Sequence, residues 1–470
     1  MGTGLSSWAV YRSLSKSHPE ASITLIDAGK RFTKKKTNDL QNAEKDKFGS
    51  IHMYETSGSG ISFKKRSNYS LAHGGLSTVW GAGIRLWSEK SLELIPLEIG
   101  SIYEQARELL LGIPYSGDGE SLNFPPGYLI DANPLPPGSI LFSAIKSENS
   151  NSGVNAYRPA LAVSTKDQDA CRGCGECLKG CPYNSIFDSG LEFDDIIDNG
   201  QIQHIIGIVE SVTEHENKVM VTYKVDGSLL QNQNEFDEVY LCAGAIGTPA
   251  ILMRSGYLPN EIRVADSQAF YFIGLKIPKL DLNQRFALAQ ANLVSEGKSP
   301  TQFSASLYLS NEQVRARISK LISTKLFGMR IRIPKLVDRF LFLGIGFLDS
   351  EDSGYIILNS YKSGSISASP VRNPNSKKTV SQAMKNISKR LRRSGLIVIP
   401  KLSILPEPGA GFHSGAALAL GEKYTDGNGL LRGYEHIHVA DVSLLPCIKA
   451  GSHTFTSMAV NAAVIKASIK

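Results

Sequence analysis

Apolar residues recur along this chain with two different periods, and the places where one period gives way to the other mark its elements. Residues 202 to 223 run apolar and polar in turn, as a hairpin with one buried face does. The apolar stretch 238 to 242 then enters a turn of small residues, Ala243-Gly244-Ala245-Ile246-Gly247-Thr248-Pro249, which predicts a buried strand leading into a helix over 250 to 255. Between 266 and 400, strand-like segments at 304–309 and 354–359 alternate with helical ones at 311–324 and 379–393. An antiparallel sheet with helices on one side is expected there. Residues 91 to 165 are rich in proline and glycine and show neither period, so 91–154 reads as a lid or covering loop. The apolar run 340 to 348 is about half as long as a membrane-spanning helix requires.

The first 27 residues combine both periods around a turn. Gly2-Thr3-Gly4-Leu5-Ser6-Ser7 leads into a helix-like run, and a strand-like segment then ends on Asp27. A Gly-x-Gly turn lets backbone approach a pyrophosphate, and the helix that follows points its N–H groups and positive dipole end at the phosphates. Asp27 is spaced to accept the ribose hydroxyls of a bound adenosine. The third glycine of the usual pattern is Ser7, and the chain starts one residue ahead of the turn, so the central strand that normally delivers it is expected to be missing.

Length and composition narrow the class. A chain of 470 residues exceeds what one hydrophobic core usually supports, so two domains are expected. With 42% hydrophobic and 20% charged residues, the composition is that of a soluble globular protein. The net charge of +7, from 51 Lys and Arg against 44 Asp and Glu, gathers at Lys34-Lys35-Lys36, 315–339 and 377–393. Solvated helix faces account for these clusters, with an anionic ligand or a membrane surface as the alternative. No motif points to nucleic acid and no transmembrane segment is expected. The expected location is cytoplasmic, or peripheral at a membrane.

Four further stretches carry candidate chemistry. The first, His73-Gly74-Gly75-Leu76-Ser77-Thr78-Val79-Trp80-Gly81, is small enough to pass within contact distance of a flat ligand, or to form a tight buried turn. In the second, Cys171, Cys174, Cys177 and Cys181, the last followed by Pro182, place four of six cysteines in the C-x2-C-x2-C-x3-C-P spacing of bacterial ferredoxins. In that spacing the last cysteine serves a second cluster, which favours a three-iron cluster here; zinc and unligated thiols remain alternatives. The third is His413, set among Gly409-Ala410-Gly411 and Ser414-Gly415. The fourth is a strand ending at Asp441, followed by Ser452-His453 and an alanine-rich helix.

In this order, these motifs resemble the glucose-methanol-choline family of FAD-dependent oxidoreductases nearly end to end. The resemblance implies an α/β fold: a discontinuous Rossmann-like FAD-binding domain over 1–90, 155–265 and 405–470, with an α+β substrate domain, built on an antiparallel sheet, over 266–404. It implies that Gly2, Gly4 and Asp27 hold the ADP half of FAD, and that Gly74, Gly75, Ser77 and Thr78 run past the flavin and pyrophosphate. Val209 would meet the adenine through its backbone, Ala243 and Gly244 would line the adenosine side, and Asp441 would approach the pyrophosphate. An alcohol or sugar would lose its hydroxyl proton to His413, with His453 stabilising the alkoxide. The cysteine run is similar in placement to that of membrane-associated dehydrogenases of the family, whose cysteine spacing differs. An iron–sulfur cluster there would pass electrons to a protein or quinone, favouring a dehydrogenase over an oxidase. Two other readings are an inactive family remnant that no longer holds FAD, and an electron-transfer module organised around the cysteines.

Overall fold

The computed structural model describes residues 1–29, 59–63, 69–137, 141–146, 153–177, 181–225, 230–276, 286–295, 302–325 and 333–468. At its nucleotide-type end lie two parallel strand pairs, Thr24–Asp27 with Gln203–Ile206 and Val239–Leu241 with Ile437–Val439. Met1 and Gly2 bridge them. The Gly2 N–H donates to the Ile26 carbonyl at 2.8 Å, the Met1 ammonium donates to the Tyr240 carbonyl at 2.7 Å, and the Cys242 N–H donates to the Met1 carbonyl at 3.2 Å. The central strand, expected to be missing, is replaced by two residues of backbone that join the two strand pairs.

Helix Leu5–Ser17 leaves the Gly2–Gly4 turn and packs on helix Thr454–Ser468. Every residue from Phe455 to Ile465 is buried, which is why that helix shows no polar face. Its other neighbour is helix Ile99–Leu110, whose Ile102, Ala106 and Leu109 enter the same core. The stretch read from sequence as a covering loop thus contains a regular amphipathic helix. Its period is short and flanked by the proline and glycine that dominate the surrounding composition.

Strands Ile208–His215, Lys218–Lys224 and Gln231–Phe236 form an antiparallel meander, which adds a third strand to the expected hairpin. A six-stranded antiparallel sheet runs in the order Leu396–Ile404, Ala269–Lys276, Leu341–Leu348, Phe303–Leu309, Ala291–Ser295, Val154–Tyr157. The apolar run 340–348 supplies its third strand and is apolar on both faces. Phe342 joins Phe270 and Phe272 under helix Ser376–Arg392, while Leu341 and Leu343 join Ile273 under Val314 and Ile318 of helix Glu312–Lys325. Helices therefore cover both sides of this sheet, not one, because both of its faces carry apolar residues that must be buried.

The strand Tyr355–Ser360, expected in the same domain, instead pairs with Glu261–Asp266 and forms a hairpin with Ile366–Val371, which pairs in turn with Ile61–Phe63. Ile356, Leu358 and Ile366 of the hairpin belong to the core of the nucleotide-type half. The basic stretch 377–393 falls mostly on helix Ser376–Arg392, whose buried face is Val380, Ala383, Met384, Ile387 and Leu391. Arg390 is an exception, being buried and donating to the Ile145 carbonyl at 2.9 Å. Lys34-Lys35-Lys36 lies outside the described residues. Among the described residues, no helix is long and apolar enough to cross a membrane.

Candidate active site

A cavity of about 1040 Å³ runs from the Gly2–Gly4 turn to the face of the six-stranded sheet that carries Tyr308, Ile345 and Phe347. At its first end, helix Leu5–Ser17 begins at Gly4 with no side-chain cap, so its first N–H groups and positive dipole end remain available to an anion. Gly2 adopts φ of +93°, and a Cβ there would come 2.9 Å from the Cys242 carbonyl oxygen; the turn tolerates no side chain at that point. Ser7 is buried and small enough for the close helix packing that a glycine would give. Asp27 lines the cavity and ties this end together: its Oδ2 accepts from the Thr3 N–H at 3.1 Å and its Oδ1 from the Gly29 N–H at 2.8 Å.

Of the second glycine run, Gly75 and Ser77 line the cavity; Gly74 and Thr78 are not in its wall. Gly74 is needed for packing, since a Cβ there would meet Asp188 Oδ1 at 2.8 Å and the Gly190 nitrogen at 2.9 Å. Ser77 turns its hydroxyl inward. That hydroxyl donates to the Gly74 carbonyl at 2.7 Å and lies 3.0 Å from Ser189 Oγ, and Ser189 in turn donates to the Thr3 carbonyl at 2.8 Å. Asp188 and Ser189, which sequence reasoning did not single out, lock the two glycine turns to each other.

The second strand-to-helix junction differs from the first. Helix Gly244–Arg254 also starts at the cavity, with Ala243, Gly244 and Val209 in the wall. Its N-terminus, however, is already filled by a carboxylate. Asp441 Oδ2 accepts from the Gly244 N–H at 2.8 Å and from the Thr248 hydroxyl at 2.5 Å, while Oδ1 accepts from the Ser443 N–H at 2.8 Å. Burial pushes the Asp441 carboxyl up, and these hydrogen bonds oppose it. Asp441 is not in the cavity wall; it positions the helix that is.

At the far end His413 and His453 meet edge to face, with ring centroids 4.9 Å apart. Phe347 stacks on the other side of His413 at 4.0 Å. Burial holds His413 well below the usual imidazole range, and the neighbouring His453 adds to that; burial alone brings His453 down to about 4. Both rings are neutral at neutral pH. Each also has a buried Nδ1 with no hydrogen-bond partner. Three chain segments fix the pair. The Ser267 N–H donates to the His413 carbonyl at 2.8 Å, and Asp266 accepts from the Ser414 hydroxyl and the Gly409 N–H, each at 2.8 Å. Phe412, directly before His413, holds φ of +63°, a conformation that side chains rarely adopt and that tends to persist at functional sites. His453 begins helix Thr454–Ser468, its carbonyl accepting from the Ser457 N–H at 2.9 Å, and the loop before it docks on the sheet where the Ala450 N–H donates to Asp349 Oδ1. Asp266, Asp349 and Phe347 were not legible as site residues, because each acts across a long sequence separation.

Of the four cysteines, Cys177 and Cys181 lie behind the Ser77–Trp80 turn, at a void of about 10 Å³ that Thr78 and Trp80 also line. Burial pushes the Cys177 thiol up to about 12 and raises those of Cys171 and Cys174. The charge of Cys181 adds to each of these shifts, so it lies near the other three thiols. Cys242 lies beside the chain's amino group and Asp441, and Cys447 beside Lys449, in other parts of the fold.

Comparison with known proteins agrees with this arrangement at two levels. A family model described as a 4Fe-4S binding domain matches residues 163–186, which contain all four cysteines of the run. No curated protein sequence matches the chain. Among solved structures, the fold is similar to that of pyridoxine 4-oxidase from Mesorbium loti, with a TM-score of 0.62 over 99% of this chain and 97% of that one, at 13% identity. The chain therefore has the mixed α/β fold of a solved oxidase along its full length, with an iron–sulfur type cysteine motif set into it.

Proposed function

We propose that the protein is a flavin-dependent oxidoreductase acting on CH–OH groups, an alcohol or sugar dehydrogenase. The observation that carries this reading is the pair His413 and His453: two imidazoles held neutral by burial, on the wall of a cavity whose other end is an uncapped helix N-terminus. The cavity has room for a dinucleotide and a substrate. Its residues suit FAD. A Cβ at Gly4 would meet open space, so backbone there can approach a pyrophosphate, and Leu5 and Ser6 begin the helix that faces it. Asp27 serves the ribose, Val209 the adenine, Ala243 and Gly244 the adenosine side, and Gly75 and Ser77 the flavin side. When bound, FAD supplies the acceptor for the hydride that leaves the carbinol carbon.

The chain's own part is proton handling and exclusion of water. A neutral His413 takes the hydroxyl proton of the alcohol, which an imidazolium could not do. His453, with its own ring proton, donates to the alkoxide oxygen that results. Phe347 keeps the His413 ring oriented, and Asp266 and Ser267 hold its loop.

The cysteine run is assigned to a four-iron cluster on Cys171, Cys174, Cys177 and Cys181, in preference to the three-iron form. The match of a four-iron family model to 163–186, which holds all four cysteines, supports this. Its place behind the turn that lines the cavity favours a protein or quinone as the electron acceptor. The test is anaerobic: purified protein is scanned for bound flavin absorbance, then for bleaching by a panel of alcohols and sugars. Protein that binds no flavin, or a flavin that none of them bleaches, would overturn the proposal. Acid-labile sulfide and electron paramagnetic resonance test the cluster, and stoichiometric zinc on the thiolates would replace it.

A further inference from the structure

Beside the nucleotide-type turn, Asp27, His73 and His204 bring a carboxylate oxygen and two imidazole nitrogens within 4.8 Å of one another. We propose that these three side chains form a binding site for one divalent transition-metal ion of the Zn²⁺ type. The inference stands on these ligand atoms and does not depend on the flavin reading; Asp27 Oδ1 faces His73, which leaves Oδ2, on the side of the Thr3 N–H, for a ribose.

Strand alternation assembles two of the ligands. His204 pairs with Leu25 in the parallel ladder, two residues before Asp27, so His204 and Asp27 project from the same face. His73, at the head of the Gly74–Gly75 turn, comes down on that face, its ring centroid 5.9 Å from that of His204. Asp27 and His73 are 8% and 6% exposed, so an ion held here would be shielded from water.

The separation of Asp27 and His73 is within ion-pair range and also matches two ligands of one shared ion. His73 Nδ1 stands 3.4 Å from Asp27 Oδ1. A hydrogen bond between an imidazolium and a carboxylate closes to about 2.7–2.9 Å. Two ligands at 2.0–2.1 Å from one tetrahedral Zn²⁺ lie roughly 3.3–3.4 Å apart. The other ring nitrogen of His73 has the support that metal-bound imidazoles usually have: Nε2 lies 3.0 Å from the Gly190 carbonyl and 3.1 Å from Asp194 Oδ1. A proton on Nε2 serving those acceptors leaves Nδ1 as the bare nitrogen that faces Asp27. Asp27 is likewise oriented from behind, by the Thr3 and Gly29 N–H groups. Three protein ligands leave one position for water. An ion there would pin the 73–79 turn to the first strand pair and so stiffen the cradle that Gly2 and Gly4 form.

The cysteine run could also take up metal, so the probe must report its ligands. Co²⁺ does: a nitrogen and oxygen set gives visible d–d bands without a sulfur-to-cobalt charge-transfer band. Full-length protein titrated with Co²⁺ is expected to bind one equivalent with that spectrum. His204→Ala, on a half-buried strand, and His73→Ala should each weaken this binding about 100-fold or more, judged in variants whose circular dichroism matches the parent. No nitrogen and oxygen type uptake, uptake showing only the charge-transfer band, or d–d bands unchanged in a folded His204→Ala protein would each overturn the proposal.

Discussion

The two ends of the cavity are built on opposite rules. At the glycine-turn end nearly every polar side chain is answered from within the protein: Thr3, Asp27, Ser77, Asp188 and Ser189 form one connected set of hydrogen bonds, and Asp441 forms a separate one with Gly244, Thr248 and Ser443. At the other end His413 and His453 are enclosed by Phe347 and the helix start, with a buried ring nitrogen each left without a partner. A buried polar group without a partner costs stability, so it persists where it is used. The first end is therefore scaffold that presents backbone, and the second holds the side chains proposed to react.

The sharpest way to break this contrast is to delete the proposed base. His413→Ala should lower the rate of flavin reduction by substrate about 10³-fold or more, with flavin still bound. The assay is anaerobic stopped-flow, and reduction near the parent rate would place the base elsewhere. The mirror experiment is Asp441→Ala. It leaves the Gly244 and Ser443 N–H groups and the Thr248 hydroxyl without an acceptor, which should destabilise the protein by roughly 3–5 kcal/mol in urea unfolding. Because Asp441 is outside the cavity wall, any loss of flavin affinity should follow the displacement of helix Gly244–Arg254.

Next in size is a pH effect. His453 carries a folded pKa of about 4 against the ordinary 6.5. Between those values the unfolded chain binds a proton that the folded protein refuses, so stability falls as the pH drops through that window. The loss amounts to about 3 kcal/mol for this one group. His413, lowered in the same direction, adds to it. In His453→Phe, the unfolding free energy should depend less steeply on pH between about 6.5 and 4. An unchanged slope would mean that His453 is protonated in the fold and cannot serve as a neutral partner.

Local chemistry was legible in the sequence and long-range partnership was not. The Gly2–Asp27 unit, the 238–249 strand and turn, and the two histidines could be read because each is carried by contiguous residues. Asp441 was read as approaching the pyrophosphate; it stands outside the cavity wall with its carboxylate on Gly244, a partner 197 positions away that sequence does not reveal. Asp266 supports His413 through Ser414, 148 positions away, and nothing in its own neighbourhood marks it. The helix Ile99–Leu110 was hidden by the proline and glycine around it. The strand expected at 354–359 joins the sheet of Glu261–Asp266 and not the six-stranded one, because sequence shows strands but not the edge they pair with.

The smallest effects come from two adjacent side chains in the same turn, and they test whether the scaffold end works by hydrogen bonding inward. Ser77→Ala removes a hydroxyl that joins Gly74, Asp188 and Ser189, leaving buried acceptors unanswered. A loss of about 1–2 kcal/mol in stability is expected, with flavin affinity following it. Thr78→Val removes a hydroxyl whose hydrogen bond, 3.1 Å to the Gly75 carbonyl, is local to the turn, and valine keeps the shape that packs against Cys177 and Cys181. Thr78 is half-buried and outside the cavity wall. Its replacement should change stability by less than about 1 kcal/mol and flavin affinity by less than about threefold, as read by unfolding and by fluorescence titration. If Thr78→Val instead released the flavin while Ser77→Ala did not, the turn would face its ligand with the opposite side chain, and the division between a satisfied scaffold end and an unsatisfied reacting end would fail at its thinnest point.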